Sequence, residues 1–303
     1  MVLGALAAIT LVSAPAAVAS SPSARSCTAR QLRATYTFVF GSPGAGSESY
    51  LLTVTNKSTT ASCTLHGPLA VRLLDRHGNA LPTHASSYPA GAYKVVLAPG
   101  QWAQAQTRFS EDIPATGENP RHCEPVAYSL RLTIGHGSVL APMDPTTVCQ
   151  HGRTSFNRLK AVKPVPACAA SALDATFKRY GPVSDGSVNY ALILTDTTGS
   201  ACYTDSFVHL ALLGASGNSL PTHPMIGVQS PYVIPAHAER WTIVTMHTKP
   251  GPGEPRSGGC EPIASSVRIT PRPGIGSITV PVQPALRACY KGQMTLSGLF
   301  QQG

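Results

Sequence analysis

The tetrapeptide Leu-Pro-Thr-His occurs twice, at 81–84 and 220–223, and its histidines are the first candidates for chemistry. In the second copy His223-Pro224-Met225 forms a His-x-Met pair, and Met246-His247 closes the run "WTIVTMH". Imidazole nitrogen and thioether sulfur make a soft donor set that suits copper(I). If the two segments meet at one sheet end, His223, Met225, Met246 and His247 converge on a metal. The opposing reading is that the methionines fill core gaps. The first copy offers only His84, followed by Ala85-Ser86.

Signatures of catalysis are missing. The chain has no Gly-x-Ser-x-Gly, no His-Glu-x-x-His and no phosphate-cradling glycine loop. Two acids recur, Glu124 and Glu261 in "CEP", and a Glu at a strand start beside a cysteine reads as turn-stabilising or solvent-facing. Asp75 precedes a turn, and its counterpart in the second copy is Gly214. No catalytic residue, no resident metal and no cofactor are therefore expected.

These residues sit on a duplicated frame. Cys27, Cys63, Cys123 and Cys149 are followed by Cys168, Cys202, Cys260 and Cys289, spaced 36, 60 and 26 residues against 34, 58 and 29. "SYLLTVTNKSTTASC" pairs with "NYALILTDTTGSAC", "VRLLDRHGNALPTH" with "LALLGASGNSLPTH", and "CEPVAYSLRLTI" with "CEPIASSVRIT". Trp102 and Trp241 fall in equivalent strands. A period of about 140 residues is the length of a domain, not of a solenoid unit. Domains are expected over 26–149 and 167–289. Residues 150–166, basic and ending in Pro164 and Pro166, read as a solvated linker; residues 290–303 read as a tail, the counterpart of that segment.

Short runs rich in β-branched and aromatic residues, bounded by Gly, Pro, Asn and Ser, dominate both halves. In "SLRLTI", Leu130, Leu132 and Ile134 share one face and Arg131 and Thr133 the other. About seven such strands per half predict an all-β fold of two tandem immunoglobulin-like β-sandwich domains, each with two disulfides, with a closed barrel as the alternative. Cys27 precedes the first strand and Cys63 follows the second, so an antiparallel pair brings them to one end. The same argument joins Cys123 to Cys149, and in the second half Cys168 to Cys202 and Cys260 to Cys289. Each closure is expected to contribute roughly 3–4 kcal/mol through the unfolded chain. Without a Cys-x-x-Cys pair, a thiolate metal site is not expected.

Residues 1–19 are uncharged and apolar, and Ala17-Val18-Ala19 fits a signal-peptidase site, so export with cleavage after Ala19 is expected, although no Lys or Arg precedes the run. Arg25 spoils the approach to Cys27 that lipid attachment requires. No later stretch is long and apolar enough to span a bilayer, so no transmembrane segment is expected after cleavage. Paired cysteines fit an oxidising compartment. The net charge is +9, but only 12% of residues are charged and they are scattered, which argues against nucleic-acid binding.

The order of cysteines, with Thr55-Asn56, Ser62-Cys63-Thr64-Leu65 and Gly67-Pro68 between them and "CEP" before a late strand, resembles the DUF4232 family of exported bacterial domains of unknown function, found mostly in actinobacteria. The second half departs from it: Asp196 replaces the Asn, and "CYTDSFVHL" lacks the Gly-Pro. The resemblance implies two tandem copies of an exported sandwich-like module and carries no activity. The expected function is a non-catalytic binding module, secreted or at the cell envelope, whose ligand is an envelope or extracellular component. Copper(I) binding is the alternative. The Pro- and Gly-rich loops before "CEP", "EDIPATGENPRH" and "TKPGPGEPRSGG", are the expected partner surface.

Overall fold

The structure is a computed structural model that describes residues 24–40, 46–119, 123, 125–255, 260 and 262–301. The segment expected to be a signal peptide, together with Glu124 and Glu261, lies outside the described residues. In the first half the strands are β1 (Leu32–Phe38), β2 (Glu48–Asn56), β3 (Cys63–Gly67), β4 (Ala70–Leu74), β5 (His84–Tyr88), β6 (Tyr93–Leu97), β7 (Trp102–Phe109), β8 (Ala127–Ile134), β9 (Gly137–Thr146), β10 (Arg153–Asn157) and β11 (Lys160–Ala161). In the second half they are β12 (Leu173–Arg179), β13 (Ser187–Asp196), β14 (Cys202–Asp205), β15 (His209–Leu213), β16 (His223–Met225), β17 (Pro231–Ile234), β18 (Glu239–His247), β19 (Ile263–Thr270), β20 (Ile278–Arg287) and β21 (Gln293–Leu296). The protein is all-β, and among the described residues helical pieces are limited to single turns.

In the first half one sheet runs β1-β2-β7-β10-β5, with β11 added to β7; β3-β6 and β4-β8-β9 form the rest. The second half joins its strands into one sheet, β15-β19-β20-β12-β13-β18-β21-β16, with β14-β17 as a separate ribbon. The closure between layers is a short parallel bridge, Lys178 to Gln283. Strands from both flanks of this sheet feed one core, so it must curl around that core.

Alternation decides which faces are buried. Leu130 and Leu132 on β8 have no exposed surface, while Arg131 and Thr133, which alternate with them, point outward. Burying such a leucine contributes roughly 1.5–3 kcal/mol. Two core clusters result, one built from Cys27–Leu159 and the other from Cys168–Leu299. All four expected disulfides are formed: Cys27–Cys63, Cys123–Cys149, Cys168–Cys202 and Cys260–Cys289, with Cα–Cα distances of 4.8 to 5.0 Å.

The expected linker at 150–166 requires correction. Residues 153–157 form β10, inserted between β7 and β5 of the main sheet, antiparallel to the first and parallel to the second. Thr154, Phe156 and Leu159 enter the first core, which outweighs the basic residues between them. The expected tail is corrected in the same way: β21 lies between β18 and β16, and Met294, Leu296 and Leu299 enter the second core.

The halves touch along the outer face of β1, β2 and β7. Trp102 packs edge-on against Tyr203 at 5.0 Å, Gln104 donates to the carbonyl of Pro231 at 3.3 Å, and Phe40 meets Phe300 at 4.8 Å. The two tryptophans stand in equivalent strands but not at equivalent positions. Trp102 is opposite Thr55, whereas Trp241 is opposite Ile193, two residues further along.

Candidate functional site

The Leu-Pro-Thr-His segments have the same structure in both halves. Leu81 and Leu220 are buried in the two cores. Thr83 Oγ1 accepts from the Leu73 N–H at 3.0 Å and donates to the Leu81 carbonyl at 2.9 Å; Thr222 makes the same two bonds with Leu212 and Leu220 at the same distances. The carbonyls of Pro82 and Pro221 press against Gly152 and Gly292, where an added Cβ would lie 1.9 Å from the oxygen. His84 and His223 then open β5 and β16 and are exposed. The motif braces the strand against the turn that follows the second disulfide.

The four proposed copper ligands are not brought together. Strand β21 lies between β16 and β18, two sheet spacings of about 4.8 Å each. Met246 has no exposed surface and packs in the core beside Met294, whereas Met225 on the outer face is 48% exposed. Met225 Sδ accepts from Gln293 Nε2 at 2.8 Å, and His247 stacks on Tyr290 at 4.2 Å. Neighbouring residues on a strand face opposite ways, so Met246 and His247 cannot share a site on one sheet face. Asp75 holds its own turn: its Oδ1 accepts from the N–H groups of His77 and Asn79 at 2.8 Å each, and hydrogen bonding from Asn79 leads in holding its pKa low.

A different pair of acids organises both halves. Gln150, His151 and Gly152 all have positive φ, at 60°, 56° and 73°, as do Tyr290, Lys291 and Gly292. Such a turn aims successive N–H groups at one point. The Glu118 carboxylate accepts there from Gln150 at 2.8 Å and from His151, and also from Ala115 at 2.5 Å. Glu254 repeats this with Tyr290 at 2.8 Å, Lys291, and Gly251 at 2.7 Å. Partial desolvation raises the Glu118 pKa, but the donors outweigh it and the net shift is downward. Glu254 is lowered first by Gly251 and then by the turn. The described parts of the loops before "CEP" are thus pinned to the disulfide turns. The shared "GENPR" and "GEPR" were the signal for this pair.

Asn56, in the most specific part of the sequence motif, is fully buried. Its amide donates to the carbonyls of Ala61, Leu97 and Ala98, and its Oδ1 accepts from Ser58 N–H at 3.0 Å. It shapes the loop into Cys63. Gly67 of the Gly-Pro pair is required by a close approach: a Cβ there would sit 2.0 Å from the ring of Tyr93.

That ring forms one wall of a pocket of about 510 Å³ in the first half. Leu52, Ala105, Phe156 and Leu159 form its floor; Pro68, Leu69 and Val71 face Ala85 and Ser87 of β5. Arg158 lies over the outer ring of Tyr93 at 5.9 Å and donates to the Ala90 carbonyl at 2.7 Å, fixing that wall. The Ser87 hydroxyl oxygen is buried and has no hydrogen-bond partner. The volume and a mostly apolar lining with a few polar side chains, Thr83, Ser86 and Asn157, are the attributes of a small-molecule site.

Residues 27–160 match the family model of DUF4232, a domain of unknown function. The matched segment takes in β10 and the whole pocket lining. No curated protein matches the chain. In the second half Phe207 stands at the position of Pro68 and is packed into the core, its backbone clamped by the Gln229 side chain at 3.1 and 2.8 Å. Ile226 replaces Ser87. No helix among the described residues is long and apolar enough to cross a membrane.

Proposed function

We propose that the protein is an exported, non-catalytic binding module of two immunoglobulin-like β-sandwich domains, and that its first domain takes a compact, mostly apolar molecule in the pocket behind Tyr93. The second half is read as a diverged DUF4232 copy in which Phe207 stands in place of Pro68. The observation that carries the reading is the preformed pocket itself, about 510 Å³ and walled largely by Pro68, Leu69, Val71, Tyr93, Phe156 and Leu159. Thr83, Ser86 and Asn157 are the polar side chains on that lining, beside which a ligand with one hydrogen-bonding group would sit. Four disulfides and the apolar residues 1–19 support an extracellular or cell-envelope setting. Nucleic acid is not among the proposed partners. Titration with 1-naphthol, an apolar bicycle with one hydroxyl, tests the reading. At about 0.3–0.5 kcal/mol per heavy atom, binding is expected with Kd on the order of 1 mM or tighter. Absence of saturable binding by 1-naphthol and by similar hydroxylated bicycles would remove the pocket from the function.

A further inference from the structure

A second cleft, of about 570 Å³, opens where the halves meet. Its floor is the outer face of β18 and β21, including Ile243 and Thr245. One wall is Met225, Ile226 and Gly227 from the second half; the other is Phe38, Phe40 and Asp144 from the first. Two glycines make the space. Gly227 stands where the first half has Tyr88, and Gly298 where it has Arg158. Phe40, Met225 and Ile226 remain 39%, 48% and 39% exposed, an apolar patch that water rather than protein covers.

Asp144 is out of character with this lining. It is half-buried, its carboxylate oxygens lie 2.6 and 3.0 Å from where a Cβ on Gly227 would stand, and the backbone N–H of Val228 donates to it. Desolvation raises its pKa, with that N–H opposing the rise. No cationic side chain pairs with it among the described residues, in a protein with 23 Lys and Arg against 14 acids. Glu48 and Glu111 act with Asp144 on the hydroxyl of Tyr50, so this end of the first half is locally acidic. Phe38, Phe40 and Phe300 group beside it, with centroid distances of 6.4 Å and 4.8 Å from Phe40. A cation placed there gains the carboxylate and the aromatic faces together.

We propose that the cleft between the halves is a binding site for ammonium compounds bearing an apolar or aromatic body, with Asp144 taking the cation and Phe40, Met225 and Ile226 taking the body. This site is separate from the pocket behind Tyr93 and does not depend on it. The test is calorimetric titration of the full oxidised protein near neutral pH with 2-phenylethylammonium and with its neutral isostere 2-phenylethanol. The ammonium is expected to bind about tenfold more tightly than the alcohol. Asp144→Asn, which keeps the shape, is expected to bring the two affinities within about twofold, and Phe40→Ala to weaken both by about fivefold or more. Equal affinity for the two probes in the unmodified protein, or an ammonium preference that survives Asp144→Asn, would overturn the proposal.

Discussion

Gly152→Ala isolates the brace that explains why Leu-Pro-Thr-His recurs. Gly152 has φ +73°, and a Cβ added to it would lie 1.9 Å from the Pro82 oxygen and 2.6 Å from the Pro82 carbonyl carbon. The left-handed backbone alone costs an alanine about 1–2 kcal/mol. The obstruction is main chain, which cannot rotate away, and forced overpacking adds about 1–3 kcal/mol. Gly100 supplies the control, with φ +71° and no heavy atom within 4 Å of the added Cβ, so Gly100→Ala carries the dihedral cost without the clash. Gly152→Ala should therefore lose roughly 2–5 kcal/mol and Gly100→Ala roughly 1–2 kcal/mol, an excess that lowers Tm by on the order of 10 °C. Urea unfolding with the disulfides intact measures both as shifts in midpoint at unchanged m. Gly292→Ala, against the Pro221 oxygen at the same 1.9 Å, should match Gly152→Ala. Equal midpoints for Gly152→Ala and Gly100→Ala would refute the brace.

Three other outcomes follow from the same structure. Thr83→Val leaves the Leu73 N–H without its acceptor and should cost about 1–3 kcal/mol, while His84→Ala, exposed beside it, should stay within about 0.5 kcal/mol; chemical denaturation of the two variants checks the contrast. The pKa values of Glu118 and Glu254 are lowered by folding, so their stabilisation is present above the ordinary glutamate value and lost as pH falls through the folded values. A Glu118→Gln, Glu254→Gln double variant should thus have a lower Tm near neutral pH and a flatter acid limb of the Tm–pH profile. Glu48 behaves oppositely. Desolvation first, and then its pairing with Glu111, raises it from 4.5 to about 8, so the stability it contributes is complete below pH 4.5 and lost as pH rises to about 8. Glu48→Gln should raise Tm relative to the unmodified protein near pH 8 and lose that advantage towards pH 4.5.

Much of the frame was legible because it is periodic. Alternating residues such as Leu130, Leu132 and Ile134 gave the strands, and the places of the cysteines at the ends of antiparallel strands gave four correct disulfides. Strand β10 was hidden because its inward residues, Thr154 and Phe156, are too few to mark a period among basic neighbours, and its partner β5 is distant in sequence. Glu118 was missed for a similar reason: its donors, Gln150 and His151, lie 32 and 33 residues away, and their left-handed backbone has no signature in residues that are not glycine. The copper set fails on a rule visible in the sequence, since Met246 and His247 are strand neighbours and face opposite ways. The pocket is a matter of missing volume at Pro68, Ala85 and Ala105, and comparison with Phe207 in the other half is what gives that absence meaning.

The central claim is that the first half holds a small apolar molecule behind Tyr93, and methyl-resolved NMR during a 1-naphthol titration tests it most directly. Saturable shift changes are predicted at the methyls of Leu69, Ala85 and Ala105, with loss of those changes in Ala85→Leu, which places a larger side chain into the pocket mouth without touching the Gly67-Pro68 bond. Shift changes that are absent, or that persist undiminished in a folded Ala85→Leu protein, would contradict it.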